Sequence, residues 1–303
     1  MARATLLSAL ATLLLACGGD PARDASSPRP DGASTDSGGA RRDAQLPPPT
    51  EGPLDAASVM FVGHSLIGWE LPYMVRSLTR DANVELTFAV QMGAGGTIQL
   101  QWERAAEGVY AREELTTGDY DVLVLTEAIP LESNYRFSGT VEFAGDFYDL
   151  AQSSHPGARV YMYQTWDEVT DPMFRERLDT DRALWEQIVD EVNAGRTGPP
   201  MLMIPGGTAL AALVDRIESG GVPGLASRQD LFADQIHVNT RGFYFIACVH
   251  HATIYRRSPV GLTNAMIDRF DQPFADPPTP EQARVMQEIA WEIVSQDPRA
   301  GLR

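Results

Sequence analysis

Five short, largely apolar runs set the strongest limit on what this chain can fold into. They are Val59-Met60-Phe61-Val62, the stretch 84–90, Val122-Leu123-Val124-Leu125, Val160-Tyr161-Met162-Tyr163 and Met201-Leu202-Met203-Ile204. A strand wetted on one face alternates apolar and polar residues. Four of these runs do not alternate, so both of their faces must be covered; in 84–90, Glu85 and Thr87 interrupt the apolar residues. Between them lie longer stretches with helical spacing, such as Leu71, Met74, Val75 and Leu78 within 66–81. Further helices are expected over 97–107, 137–153, 174–193, 208–218, 240–256 and 280–294, with Thr97 as a cap and Pro280 in a first turn. Strands that alternate with helices build a parallel sheet with helices on both sides. The expectation is an α/β domain over 57–303, a three-layer αβα sandwich around a central parallel sheet of about five strands.

In such sheets, function gathers at the carboxyl ends of the strands. That rule selects the loops after Val62, Val90, Leu125, Tyr163 and Ile204. The chain has 303 residues, 44% hydrophobic and 21% charged, ample for a sizeable core. Its formal net charge of −17 argues against a nucleic-acid partner, which requires a basic face. It equally disfavours electrostatic docking on anionic lipid. With only two cysteines, Cys17 and Cys248, there is no disulfide framework. Cys248 sits in the apolar run 243–249 and reads as a small buried hydrophobe.

The N-terminus has a separate logic. Arg3 is followed by an apolar stretch from Ala4 to Ala16, too short to span a bilayer comfortably. It has the layout of a secretory signal peptide. It ends Leu14-Leu15-Ala16-Cys17, which resembles a bacterial lipobox and implies lipidation of Cys17 and a membrane attachment. From Gly18 to Pro53 there is no aromatic residue, Val or Ile, and Leu46 is the single large aliphatic. Such a composition cannot offset its ordering entropy. Residues 1–17 are therefore expected to be a lipoprotein signal peptide and 18–56 a Pro/Gly/Ser/Asp-rich tether.

The chemistry begins after the first strand, at Gly63-His64-Ser65-Leu66. A serine at a strand-to-helix junction presents its hydroxyl at the sheet edge, with its own amide near a helix start and available to an oxyanion. It needs a base. Asp234-Gln235-Ile236-His237, near the other end of the domain, supplies an acid and an imidazole in one loop. These two blocks, in this order on this strand–helix pattern, resemble those of the SGNH (GDSL-type) hydrolases, and the resemblance spans about residues 57–262. It implies a flavodoxin-like fold and ester hydrolysis by Ser65, His237 and Asp234, without metal or cofactor. It also implies an oxyanion hole from the amides of Ser65 and Gly95 in Gly93-Ala94-Gly95-Gly96-Thr97, with Gly96 the near alternative. The family's usual Gly-x-Asn-Asp after the third strand is replaced by Thr126-Glu127-Ala128-Ile129-Pro130, and Asn134 lies further along. Gly96 and Glu127 are thus assigned to a substrate rim. An ester, with an acetylated carbohydrate among the candidates, is the implied substrate. A glycan-binding protein that has lost catalysis, or an O-acyltransferase, remain the alternatives.

Trp69, Trp102 and Trp166 each follow a strand end and are candidates for a cleft wall or for core. Adjacent His250 and His251 point to different sides of a helix, so they do not make a metal pair.

Overall fold

A computed structural model of the protein describes residues 52–104 and 107–302. Cys17, the 1–17 segment and most of the expected tether lie outside the described residues. The elements follow the chain as β1 (Ala56–Gly63), α1 (Glu70–Asp81), β2 (Glu85–Met92), α2 (Ile98–Glu103), β3 (Glu107–Gly108), α3 (Ala111–Leu115), β4 (Val122–Leu125) and α4 (Leu131–Phe137). The second half continues with α5 (Thr140–Ser154), β5 (Arg159–Tyr163), α6 (Phe174–Thr180), α7 (Arg182–Asn193), β6 (Leu202–Ile204), α8 (Gly206–Glu218), α9 (Thr240–Tyr255) and α10 (Pro280–Gln296). A short 3-10 turn, Arg228–Leu231, precedes the acid-and-imidazole loop.

The sheet order is β3-β2-β1-β4-β5-β6. The five long-expected strands are all parallel, with Val59 opposite Val122 and Gly63 opposite Met92. The sixth strand, β3, is a two-residue edge that pairs antiparallel with Gln91 and Met92. It carries no apolar run because an edge of two residues has no face to bury. The chain leaves β1 for β2 on one side and, after β3 and α3, crosses back to β4 on the other side of β1, so β1 and β4 flank the switch point where such sheets open a crevice.

The continuous apolar runs are divided between two cores by the pleat. Val59, Phe61, Val122, Val124, Tyr161 and Tyr163 face a core shared with α1, α8, α9 and α10. Met60, Val62, Leu123, Leu125, Val160 and Met162 face a second core with α2, α3, α5 and α7. Both faces of β1, β4, β5 and β6 are covered, as their runs require, while Glu85 and Thr87 of β2 are exposed.

Helix boundaries shift for local reasons. The first helix starts at Glu70, not Leu66, because the Ile67 and Gly68 amides both donate to the His64 carbonyl and hold 64–69 in a turn. The 137–153 helix divides at Gly139, whose φ of 60° is left-handed. The 174–193 helix divides at Asp181, which ends α6 and starts α7. Ahead of β1, the Leu54 amide donates to the Tyr255 carbonyl at 3.0 Å. The described domain therefore takes in the last residues of the stretch expected as tether.

Candidate active site

Ser65 sits in the turn after β1, at the carboxyl edge of the sheet. Its neighbour His64 is buried and ties this turn to the next strand, donating from Nε2 to the Glu127 carbonyl at 3.0 Å. Its Nδ1 faces the Leu66 amide at 3.4 Å. Burial lowers the His64 pKa, so the ring is held neutral and serves as a brace.

The loop Asp234–His237 is brought to Ser65. His237 Nε2 lies 2.8 Å from Ser65 Oγ, and His237 Nδ1 lies 2.7 Å from Asp234 Oδ2. Asp234 Oδ1 accepts the amides of Ile236 at 2.9 Å and His237 at 2.7 Å. The three-residue offset thus lets one carboxylate hold both the backbone of its loop and the imidazole. Those donors depress the Asp234 pKa to about 2, with the His237 amide the largest cause. A carboxylate that ionised keeps Nδ1 protonated and leaves Nε2 as the acceptor facing the serine. The loop is clamped from the strand β5 side: the Trp166 indole N–H donates to the Ile236 carbonyl at 2.9 Å, and the Val169 amide to the Gln235 carbonyl at 2.7 Å. Trp166 is therefore core, 2% exposed, and also a loop support. Its role depends on a partner 70 residues away, which no local pattern reveals.

On the other side of Ser65 lies the glycine-rich loop. The Gly93 amide donates to the Gly63 carbonyl at 2.9 Å, and the buried Gln101 amide reaches the same carbonyl at 2.7 Å. Gly95 is exposed, with φ 62° and open space where a Cβ would stand. Gly96 is buried, and a Cβ there would meet Gln101 Nε2 at 2.9 Å and the Gly93 carbonyl at 3.0 Å. Gly96 is thus a packing position of the loop, and Gly95 is the one that faces outward. Thr97 caps α2, accepting the Leu100 amide at 3.2 Å.

Glu127 corrects the sequence expectation. The sequence assigns it to the substrate rim, yet its side chain is fully buried. Oε1 accepts the amides of Ala128 at 2.7 Å and Ile98 at 3.1 Å, and Oε2 accepts the Thr140 hydroxyl at 2.7 Å. The carboxyl turns inward because α2 starts with unpaired amides close to the end of β4, and an acid there satisfies one of them. Burial raises its pKa, and the three hydrogen bonds oppose that rise. Asn134 does not replace the missing family asparagine, since its amide donates to the Ala128 carbonyl at 2.8 Å.

The other candidates fall into the scaffold. Trp102 packs edge-on against Phe147, and Trp69 lies partly buried at the start of α1. His250 and His251 are both buried in α9, where burial lowers each to about 4 and keeps them neutral. Cys248 is buried, and its thiol is raised to about 12.

No family model and no curated protein matches this sequence. Among solved structures, the chain is similar to a DUF4886 family protein from Bacteroides uniformis, at 15% identity over 80% of this chain and 96% of that one, with a TM-score of 0.55. It is also similar to the lipase Lip_vut3 from a goat rumen metagenome, at 12% identity over 66% and 98% of the two chains and a TM-score of 0.44. A carbohydrate esterase family 3 protein from Talaromyces cellulolyticus gives 11% identity, 66% and 97% coverage, and a TM-score of 0.44. Its strand order and two-faced core make a flavodoxin-like α/β fold.

Proposed function

We propose that this chain is a serine ester hydrolase. The observation that carries the reading is the unbroken chain of contacts from Ser65 Oγ to His237 Nε2 at 2.8 Å and from His237 Nδ1 to Asp234 Oδ2 at 2.7 Å. An alcohol is a poor nucleophile without an adjacent base, and an imidazole needs a partner to fix its tautomer. As Ser65 Oγ attacks the ester carbonyl, its proton passes to His237 Nε2. The amides of Ser65 and Gly95 are assigned to the oxyanion. The proton then goes to the departing alcohol, leaving an acyl-serine. A water loses its proton to His237 as it attacks this acyl group, and collapse returns the proton to Ser65 with release of the acid. Asp234 stays ionised throughout and stabilises the imidazolium.

Glu127 enters this scheme as a positioning residue. Its carboxyl ties the start of α2, and with it the Gly93–Thr97 loop, to the end of β4. A fluorophosphonate probe followed by peptide mapping tests the reading. The adduct is expected on Ser65 and absent from Ser65→Ala. An adduct elsewhere, or none on a folded protein, refutes it. The lipobox-like Leu14-Leu15-Ala16-Cys17 further supports an extracytoplasmic, lipid-anchored location, with an acetylated carbohydrate as candidate substrate. Cys17→Ser should then release the protein from the membrane fraction, and a wild-type protein that is already fully soluble after secretion contradicts the anchor.

A further inference from the structure

Between α9 and α10 the chain makes an arm that lies beyond the stretch resembling the hydrolase family. It climbs α1 from bottom to top. The Thr263 amide donates to Asp81 at 2.9 Å, the Ile267 amide to the Ser77 hydroxyl at 3.1 Å, and Arg76 to the Asp268 carbonyl at 3.3 Å. The arm then turns back on itself, with Asp268 N–H to Gln272 O at 2.8 Å and Phe274 N–H to Met266 O at 3.0 Å. The tip of the arm therefore reaches Trp69, at the end of α1 that follows the Ser65 turn.

At that tip stand Arg269 and Phe270. The Arg269 guanidinium carbon lies 5.5 Å from the Trp69 ring centroid and 4.7 Å from that of Phe270. Trp69 is the residue before α1, and its indole N–H faces Glu107 of β3 at 3.4 Å. Phe270 is 66% exposed, unusual for a residue of its size. The two acids that flank the tip on the arm face partners of their own. Asp268 accepts the amides of Phe270 and Gln272, both at 2.8 Å, and Asp271 faces Arg76 at 3.9 Å. Among the described residues, no carboxylate lies within ion-pair distance of Arg269.

We propose that Arg269, Phe270 and Trp69 form a substrate subsite for an anionic group, a carboxylate carried on the alcohol portion of the ester. This rests on the hydrolase reading and deepens it. An arginine held by ring contacts with its N–H donors unclaimed is preorganised for bidentate binding of a carboxylate. A chain of net charge −17 repels anionic substrates at long range, so such a substrate needs a local cation to be retained. The exposed ring of Phe270 supplies a face for the adjoining sugar-like ring.

The test compares acetate release from a partially O-acetylated oligogalacturonide and from its carboxyl-reduced, neutral counterpart, with p-nitrophenyl acetate as a small ester. Wild type should favour the acidic oligosaccharide in kcat/KM by about fivefold, a preference that weakens with salt. Arg269→Gln should bring the ratio close to one, with Arg269→Lys between. The ratio is measured within each variant, so differences in folding yield cancel. Equal rates on the two oligosaccharides in wild type, or a ratio unmoved by Arg269→Gln, overturn the subsite. Hydrolysis of p-nitrophenyl acetate with neither oligosaccharide cleaved overturns the subsite and leaves the hydrolase reading standing. No Ser65-dependent hydrolysis of any of the three overturns both.

Discussion

Two loops meet at Ser65, and they handle charge in opposite ways. The Asp234–His237 loop keeps its acid and base at the surface, with side chains 55% and 39% exposed. Solvent and backbone amides stabilise that carboxylate, and it holds the partner imidazole through Nδ1. The Gly93–Thr97 loop is braced from within, by Gln101 and by a carboxyl that is wholly buried. Glu127 is surrounded by three donors and reaches no solvent. On the proposed mechanism the difference separates two tasks: the base that exchanges a proton sits where charge is tolerated, and the group that only holds geometry sits where charge change is costly.

Substitutions on the two loops should therefore fail differently. The largest effect belongs to Asp234→Asn. An amide at this position loses the anion that sets the His237 tautomer, and kcat on p-nitrophenyl acetate should fall by roughly 10³- to 10⁴-fold. Because Asp234 is exposed, thermal unfolding should move little. A large drop in melting temperature with kcat nearly intact would reverse the roles of the two loops. Glu127→Gln should show the opposite signature. The amide oxygen can keep the two backbone donors, and the new NH₂ then faces the Thr140 hydroxyl, which must turn from donor to acceptor and give up this outlet for its own proton, at about 1–3 kcal/mol of stability. Denaturant midpoints check this. Activity per folded molecule should decline far less than in Asp234→Asn.

The contrast also explains what could be read in advance. Continuous apolar runs predict four of the five parallel strands because a doubly covered strand needs no alternation, whereas β2 alternates through the exposed Glu85 and Thr87. Ser65 and Asp234–His237 are legible because each motif is local: a serine directly after a strand, and an acid three residues before an imidazole. Glu127 was not legible as a brace. Its position after a strand says that it is near the rim, but whether it turns inward depends on the Ile98 amide, which the fold brings from 29 residues away. Trp166 is the same case, since its indole N–H serves a carbonyl in a distant loop. The arm over α1 has neither helical nor strand periodicity, and its course depends on single contacts with Ser77, Arg76 and Asp81. Residues whose role is set by one long-range hydrogen bond leave no periodic trace in sequence.

The smallest expected effect sharpens the comparison by its sign. Asp234 has a folded pKa of about 2, below its ordinary 3.8. Its folded form binds protons less readily than the unfolded chain, so its contribution to stability is present above pH 3.8 and is lost as pH falls towards 2. Glu127 has a folded pKa raised above its ordinary 4.5, chiefly by burial. Here the folded form holds its proton more tightly, so stability declines as pH rises from about 4.5 through the raised value. Melting temperature measured against pH for wild type and both variants resolves the two slopes. Asp234→Asn should flatten the acid limb between pH 4 and 2 and leave the higher range alone. Glu127→Gln should lower the whole curve and remove the decline that starts near 4.5. If Glu127→Gln instead flattened the acid limb, the three donors around its carboxyl would outweigh its burial, and Glu127 would join Asp234 as an acid held ionised by its hydrogen bonds.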